Sequence, residues 1–243
     1  MRPTAASPRS LCGTSPVALK LACACICVLA LAGSGAARAG ESGWAPRVTN
    51  QWFPLRPGTT YVYTGVKDGK PSRELFTVTH STKVIQGVRC TAVSDRLYLR
   101  GRLFERTTDW YAQDSQGAVW YFGERTAELD AHGRVTSTEG SWQSGVDGAK
   151  AGIYMSAHPR VGQSFRQELY PGHADDHFRV LSLNASVSVP YVTSRHALLT
   201  KEWTPLEPDV IDHKLYVRGI GTVKEETVKG GSERNVLVAV RHG

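Results

Sequence analysis

The feature that most constrains the fold of this chain is a long series of short alternating runs separated by turn residues. Thr59 to Val66 places Tyr61 and Tyr63 on one face and threonine and valine on the other, and this period of two is typical of a β-strand. Asp68-Gly69, a dipeptide favoured in two-residue hairpin turns, follows, and Leu75 to His80 is the returning strand.

The same pattern of β-branched or aromatic runs and glycine-containing turns continues along the chain. Turns recur about every 8–12 residues, and no window carries an apolar stripe at the helical period. We therefore predict an all-β, single-domain antiparallel barrel or sandwich with little helix, for which a lipocalin-like curved sheet is one form. The glycine-rich stretch from Gly140 to Gly162 is predicted to be the longest loop.

The first 39 residues have the composition of an export signal. Positive residues, among them Lys20, precede an uncharged and largely apolar run from Leu21 to Ala37, and Ala37-Arg38-Ala39 matches the small-x-small pattern of a cleavage site. The run is near the lower limit for spanning a bilayer, and it ends in the weakly hydrophobic Gly33-Ser34-Gly35, so cleavage is favoured over a membrane anchor.

We therefore predict a signal peptide at residues 1–39, an N-terminal tether at residues 40–50 and a β-rich domain at residues 51–243. The mature chain is expected to be secreted, periplasmic or otherwise extracytoplasmic, without a transmembrane span after cleavage. Its oligomeric state does not follow from the sequence.

Removal of this segment changes the charge and the cysteine content of the chain. Four of the 29 basic residues and none of the 22 acidic residues lie in it, which leaves 25 against 22 and lowers the net charge from +7 to +3. Basic residues are scattered, so no nucleic-acid partner is expected. Only Cys90 remains, so the domain has no internal disulfide and must depend on its core.

Two passages resemble a group of exported bacterial β-sheet proteins that are mostly uncharacterised. The first is the aromatic-Phe-Pro-Leu opening with a glycine and an aromatic-x-Tyr strand, here Trp52 to Tyr63. The second is a closing Tyr-x-x-Gly-x-Gly-x-Val hairpin, here Tyr216 to Val223, preceded by Val189-Pro190-Tyr191. The resemblance implies a barrel-like envelope or secreted domain, and it supplies no catalytic residues.

An aromatic hairpin provides one candidate ligand site. Asp109, Trp110 and Tyr111 precede a turn, and Trp120 and Tyr121 follow it. Flat aromatic faces with flanking carboxylates are suited to stacking and hydrogen bonding with a small molecule or a glycan. Adjacent residues of a strand point to opposite faces, so at least one member of each aromatic pair is expected to lie in the core.

Histidines provide a second candidate site, for a metal such as zinc or copper. His173 and His177 flank Ala174-Asp175-Asp176, and imidazole and carboxylate groups are ligands for these ions. The two histidines can share an ion only if Pro171-Gly172 begins a tight turn, since in an extended strand they would lie roughly 13 Å apart. His213 is a candidate third ligand, and Glu202, Glu207 and Asp209 are alternatives.

Other chemistry has little support. A set of acids near or within strands is expected to face outward and to discourage edge pairing; its members are Asp95, Glu105, Asp109, Glu124 and Glu128. Motifs for serine catalysis, phosphate binding and dinucleotide binding are absent from the sequence. The sequence therefore predicts a non-catalytic, secreted or envelope-associated binding module of unknown ligand. The alternatives are a metal-binding protein or metal-dependent enzyme that uses the histidines, and a purely structural envelope protein.

Overall fold

A computed structural model describes residues 43–243, so the predicted signal peptide and the first residues of the predicted tether lie outside the described part. Residues 43–243 contain no helix and fifteen strands, which confirms the all-β, single-domain prediction. The strands are β1 (Thr59–Lys67), β2 (Lys70–Ile85), β3 (Val88–Leu99), β4 (Arg102–Gln113), β5 (Val119–Leu129), β6 (Val135–Ser137), β7 (Trp142–Gln143), β8 (Lys150–Met155), β9 (Ser164–Arg166), β10 (Glu168–Leu169), β11 (His177–Ser188), β12 (Thr193–Trp203), β13 (Ile211–Val217), β14 (Gly221–Lys229) and β15 (Arg234–His242). No helix in this part of the chain is long and apolar enough to cross a membrane.

All fifteen strands belong to one sheet. Its main path runs β10-β8-β5-β4-β3-β2-β1-β15-β14-β13-β12-β11-β9, and the short strands β6 and β7 pair with β5 beside this path. Every strand pair is antiparallel, and β1 pairs with both β2 and β15, so the first and last strands are neighbours. The sheet is therefore a meander that turns back on its own beginning.

A six-residue segment nearly closes this sheet into a barrel. β9 pairs with β11 at one end of the path and β10 pairs with β8 at the other end, yet only Gln167 separates β9 from β10 along the chain. The segment passes close to Gly152, where an added Cβ would lie 2.4 Å from the carbonyl oxygen of Arg166. Any larger residue at position 152 would push the closing segment away.

The core lies inside this barrel. Alternate residues of the strands point inward, and many of them, such as Val93, Val119, Tyr216 and Leu237, have no exposed surface. A continuous inner core of this kind selects the barrel over two separately packed sheets.

The Trp52-Phe53-Pro54-Leu55 segment lies inside the main core, where Trp52, Phe53 and Leu55 are buried. Asn50 holds the segment in place, because its side-chain oxygen accepts hydrogen bonds from the backbone N–H groups of Trp52 and Phe53. The guanidinium of Arg218, from the closing hairpin, lies 4.4 Å from the ring centre of Trp52. The two passages that carry the resemblance are therefore in contact.

A second, smaller core covers the outer face of β3, β4 and β5. Cys90, Trp110 and Phe122 are buried there, with Trp44 packed against them. Ala45 donates its backbone N–H to the carbonyl oxygen of Gln113 at 2.7 Å, which fixes the chain before the barrel across this outer face. Large apolar residues therefore occupy both faces of these strands.

The predicted long loop from Gly140 to Gly162 is wrong in its middle. β7 pairs with Gly123 and Glu124 of β5, and β8 joins β5 to β10. The strand pattern is difficult to recognise in the sequence because the paired segments are short and are separated by turns. Gly145 and Gly148 lie in these turns with positive φ. The predicted Asp68-Gly69 hairpin is confirmed, with Lys67 paired directly with Lys70.

Candidate functional site

The five residues of the aromatic hairpin lie on both faces of the sheet. Trp110 and Trp120 belong to the outer core, whereas Tyr111 and Tyr121 belong to the inner core. Asp109 pairs directly with Val93, a residue of the inner core, so it also faces inward. The hairpin therefore contributes two tyrosines and one carboxyl group to the interior.

The two outward indoles are engaged by neighbouring side chains. The ammonium of Lys83 lies 3.6 Å from the ring centre of Trp110. Trp120 donates its indole N–H to Asp114 at 2.9 Å and meets Trp44 edge to face. Trp110 is 6% exposed, so its faces are not free for a stacked sugar.

The inward residues form a connected group. The rings of Tyr111 and Tyr121 stack with centroids 4.8 Å apart and an interplanar angle of 18°. Tyr121 donates its hydroxyl to Asp109 at 2.7 Å. Tyr154 from β8 meets both rings edge to face. These contacts fix the position of the Asp109 carboxyl at the wall of an interior cavity.

That cavity has a volume of about 150 Å³, and its wall combines aromatic rings with carboxyl groups. Six aromatic side chains line it: Phe53, Tyr61, Tyr63, Phe76, Tyr111 and Tyr154. Two further cavities of about 250 Å³ each share lining residues with it. Glu225 lines all three, and its side chain is 40% exposed.

One wall carries an acidic residue on each of four neighbouring strands. Glu74, Asp95, Asp109 and Glu124 lie on β2, β3, β4 and β5 and share the interior face. Asp109 pairs directly with Glu124, and Asp95 is the diagonal neighbour of both Glu74 and Asp109. Like charges at such positions oppose each other's ionisation.

The prediction that the strand acids face outward is therefore wrong for Asp95, Glu105, Asp109 and Glu124. Glu105 lines the second cavity, whereas Glu128, which is paired directly with Glu105 and shares its face, is exposed at its end of β5. The expectation assumed that the interior is uniformly apolar. A barrel with cavities inside can instead hold polar groups on its inner wall.

The opposite wall carries a lysine between two acids. The ammonium of Lys214 lies 2.9 Å from Glu202 and 3.3 Å from Glu225. Glu202 also accepts hydrogen bonds at 3.0 Å from the hydroxyls of Thr200 and Tyr216. Burial by itself would lower the pKa of Lys214, but the two carboxylates outweigh it and raise that pKa.

We refer to seven carboxyl side chains as the inner acid cluster: Glu74, Asp95, Asp109, Glu124, Glu168, Glu202 and Glu225. Glu168 lies on the closing strand β10 and belongs to the cluster electrostatically, because it raises the pKa of Glu124 and is itself affected by Asp109. Among residues 43–243, Lys214 is the only cation that forms an ion pair with the cluster.

Burial is the largest cause of raised pKa values in the cluster, and repulsion between neighbouring carboxylates adds to it. Desolvation and neighbouring charges raise the pKa of Glu74 to about 7 and of Glu168 to about 8. Desolvation also raises the pKa of Asp109 to about 7, although the hydrogen bond from Tyr121 opposes it. The pKa values of Asp95 and Glu124 lie well above their ordinary range for the same reasons. Several of these groups therefore hold protons near neutral pH.

Two members of the cluster have an oxygen without a hydrogen-bond partner among the described residues. These atoms are Oδ1 of Asp95 and Oε2 of Glu168, and they are buried. The indole N–H of Trp142 lies near enough to Glu168 to lower its pKa, but it does not reach hydrogen-bonding geometry. Buried polar atoms without partners are costly, so a hydrogen-bond donor of a bound molecule that reached either carboxyl would offset that cost. The carboxyl of Glu74 lies near enough to Asp95 to raise the pKa of Asp95.

The three candidate metal ligands lie with separate partners. His173 is exposed, hydrogen bonds to Glu139 at 3.1 Å and stacks on Tyr170. His177 hydrogen bonds to Asp175 at 2.8 Å. His213 lies in the middle of β13, paired with Lys201 and Glu226. Within residues 43–243 no three His, Cys, Asp or Glu side chains are arranged to hold a metal ion.

The sequence reasoning did not identify Glu74, Glu168, Glu225 or Lys214 as site residues, and it named Glu202 only as an alternative metal ligand. One signal was present. Arg73-Glu74, Asp95-Arg96, Glu105-Arg106 and Glu124-Arg125 place an acid beside an arginine on four successive strands. Adjacent residues face opposite ways, so these pairs separate the two charges across the sheet.

Comparison with known proteins gives fold-level similarities only. No protein-family model matches the chain, and no curated protein matches it. A crystal structure from Bacteroides fragilis, of a protein described as exported and as having a YmcC-like fold, is 13% identical and has a TM-score of 0.46, with 79% of this chain and 99% of that chain covered. A structure from Parabacteroides distasonis, described as a lipoprotein, is 10% identical with a TM-score of 0.43 and the same coverage.

Both structures come from the class of protein that the opening and closing passages resemble, exported bacterial proteins with a β-sheet fold. At these identities and TM-scores we transfer no residue role from either of them.

Proposed function

We propose that this chain is an exported, non-catalytic binding module that takes a small organic cation into the interior of its barrel. The observation that carries the proposal is the lining of the neighbouring interior cavities, which combines aromatic rings with five members of the inner acid cluster: Glu74, Asp95, Asp109, Glu202 and Glu225. Export is supported by the predicted signal peptide at residues 1–39.

The charge of the interior favours a cation. Among the described residues, Lys214 is the only cation that forms an ion pair with the inner acid cluster, and the raised pKa values of members such as Glu74 and Asp109 show that negative charge is held there at a cost. A bound positive charge would stabilise the ionised forms and offset that cost. A bound anion would instead destabilise the ionised carboxylates.

The aromatic rings favour an organic cation. Tyrosine and phenylalanine faces attract ammonium groups, each contributing about 0.5–2 kcal/mol depending on desolvation. Tyr111 and Tyr154 line the same cavity as Asp95 and Asp109, so ring faces and carboxyl oxygens can act on one ligand together. A metal ion would need several oxygens converging at about 2.0–2.6 Å, an arrangement that the described residues do not present.

A glycan on the outside of the aromatic hairpin has less support. The two outward indoles are packed against Lys83, Trp44 and Asp114, so they do not form an open stacking platform. The interior tyrosines are covered by the barrel wall. A ligand of the hairpin must therefore enter the cavity, where charge selects what remains bound.

The test compares an organic cation with its neutral counterpart. Choline and 3,3-dimethylbutan-1-ol have the same shape, but a carbon atom replaces the nitrogen in the alcohol. Titration calorimetry and melting curves of the mature protein should show binding of choline or of a related ammonium compound. A ligand at 100 times its Kd should add about 2.7 kcal/mol to the free energy of unfolding, and the neutral alcohol should add much less.

Two variants connect binding to the cluster. Asp95→Asn removes a carboxyl group that a bound cation would help to ionise, and Glu225→Gln changes the carboxyl that lines all three cavities. Each should weaken cation binding about tenfold, the equivalent of ~1.4 kcal/mol. The matched control is Glu139→Gln, whose side chain is 74% exposed away from the cavities; binding should be unchanged.

Binding should also release protons. A cation favours the ionised carboxylates, so affinity should rise with pH through the region near 7 where Glu74 and Asp109 titrate. Equal binding of choline and its neutral counterpart would overturn the cation proposal and favour an uncharged ligand. Stoichiometric zinc or copper binding lost in His173→Ala would favour the metal alternative instead.

A further inference from the structure

The outer face of β2–β5 carries the opposite charge from the inner face. Each of the four strands has an arginine next to an inward acid, and alternation turns its side chain outward. These residues, which we name the arginine row, are Arg73, Arg96, Arg106 and Arg125. Arg73, Arg106 and Arg125 are exposed, and Arg96 is partly buried.

Strand register places the members of the row close together. Arg96 is paired directly with Arg106, and Arg125 is paired with Thr108, one position along from Arg106 on the same face. Arg73 is paired with Tyr98, the next outward residue after Arg96. With strands about 4.8 Å apart, the row spans roughly 15 Å across the sheet.

No acid balances this row on its own face. Every acidic residue within the described strands β2–β5 belongs to the inward set, and no member of the row forms an ion pair in residues 43–243. Directly paired like charges such as Arg96 and Arg106 destabilise a sheet. Folding alone therefore gives no reason to cluster them.

One member of the row, Arg96, interacts with the barrel itself. Arg96 donates to the carbonyl oxygens of Asp95 and Thr107 and lowers the pKa of Asp109 through the sheet. Its guanidinium is thus held against the strands. The three exposed members have no such hydrogen bonds among the described residues, so their donors remain directed to solvent.

We propose that the arginine row binds a flexible linear polyanion, a chain with repeated phosphate or carboxylate groups. Guanidinium groups pair with both kinds of anion in a planar, two-bonded geometry. The row runs across strands and therefore around the circumference of a barrel. A flexible chain can follow that curvature, whereas a flat anionic membrane would contact only part of the row at once. This proposal does not depend on the interior cavity.

The experiment measures binding of the mature protein to labelled polyphosphate and to polygalacturonate by fluorescence anisotropy. These two probes distinguish phosphate from carboxylate chains. Affinity should fall steeply between about 50 and 200 mM salt, as expected for release of counterions from several contacts. Vesicles with anionic headgroups form a third arm, and vesicle binding without binding of either chain would overturn the proposal.

Matched variants separate the row from net charge. The triple variant Arg73→Gln, Arg106→Gln and Arg125→Gln should bind at least tenfold more weakly and show a shallower salt dependence. The control triple variant Arg160→Gln, Arg179→Gln and Arg195→Gln removes the same charge from exposed positions outside β2–β5. Equal losses in the two triple variants would show non-specific attraction and refute the row as a site.

Discussion

Glu168 offers a direct test of the inner acid cluster, because it can be neutralised without changing its shape. Its side chain is 6% exposed, Oε2 has no hydrogen-bond partner among the described residues, and burial followed by the charge of Asp176 raises its pKa from 4.5 to about 8. Glu168→Gln keeps the volume and removes the charge. We expect this variant to be more stable than the natural chain at neutral and alkaline pH.

The size of the effect follows from linkage. The unfolded chain loses the Glu168 proton near pH 4.5 and the folded chain near pH 8, so the folded state binds more protons between these values and its stability falls as pH rises through them. One pKa unit corresponds to 1.36 kcal/mol, which gives ~5 kcal/mol once both states are ionised and ~3 kcal/mol near pH 7. Glutamine does not titrate, so the variant avoids this loss.

Urea unfolding of both proteins near pH 4, 7 and 9 measures the difference. The variant should match the natural chain near pH 4, exceed it by ~3 kcal/mol near pH 7 and by more near pH 9. Glu139→Gln serves as a control on an exposed carboxyl and should show no comparable trend. A difference between Glu168→Gln and the natural chain that does not change with pH would refute the assignment of a buried, protonated carboxyl.

Three further predictions concern other parts of the barrel. Lys214→Met should lower the free energy of unfolding by about 3–5 kcal/mol near pH 7, because it leaves the Glu202 carboxylate buried without its cation. Chemical denaturation should show this loss near pH 7 and a smaller loss at acidic pH, where Glu202 is protonated. Gly65→Ala should prevent stable folding, because the new Cβ would lie 1.7 Å from the backbone oxygen of Arg234. Gly69 has open space around its Cβ position, so Gly69→Ala should lower the free energy of unfolding by only about 1 kcal/mol, the cost of the positive φ. Circular dichroism melting curves of the two variants measure the difference. Cys90 is fully buried and burial raises the pKa of its thiol to about 12, so a thiol reagent should label it only after unfolding, and rapid labelling of the native chain would contradict this placement.

The aromatic hairpin shows how far the candidate site could be predicted. Alternation correctly separates Trp110 from Tyr111 and Trp120 from Tyr121, because adjacent residues of a strand always face opposite ways. It does not say which face is inside. Both faces carry large apolar residues, and the outer face is buried only because Trp44 and its neighbours cross it.

The acidic residues also show that alternation along a strand does not reveal which face is inside. Glu124 and Asp109 were expected outside, since charged groups usually avoid a core. They lie inside because the barrel encloses cavities, and the size of an enclosed space depends on strand number and closure rather than on any single strand. The neighbours that raise their pKa values come from distant parts of the chain.

The sequence by itself determined most of the strands and turns and the pairs of residues that share a face. These depend on local preferences, such as the hairpin turn at Asp68-Gly69, that operate over a few residues. The tertiary structure decided which face became the interior. It did so through contacts between distant residues, above all those of the closing segment around Gln167, which joins the two ends of the sheet around one acidic space.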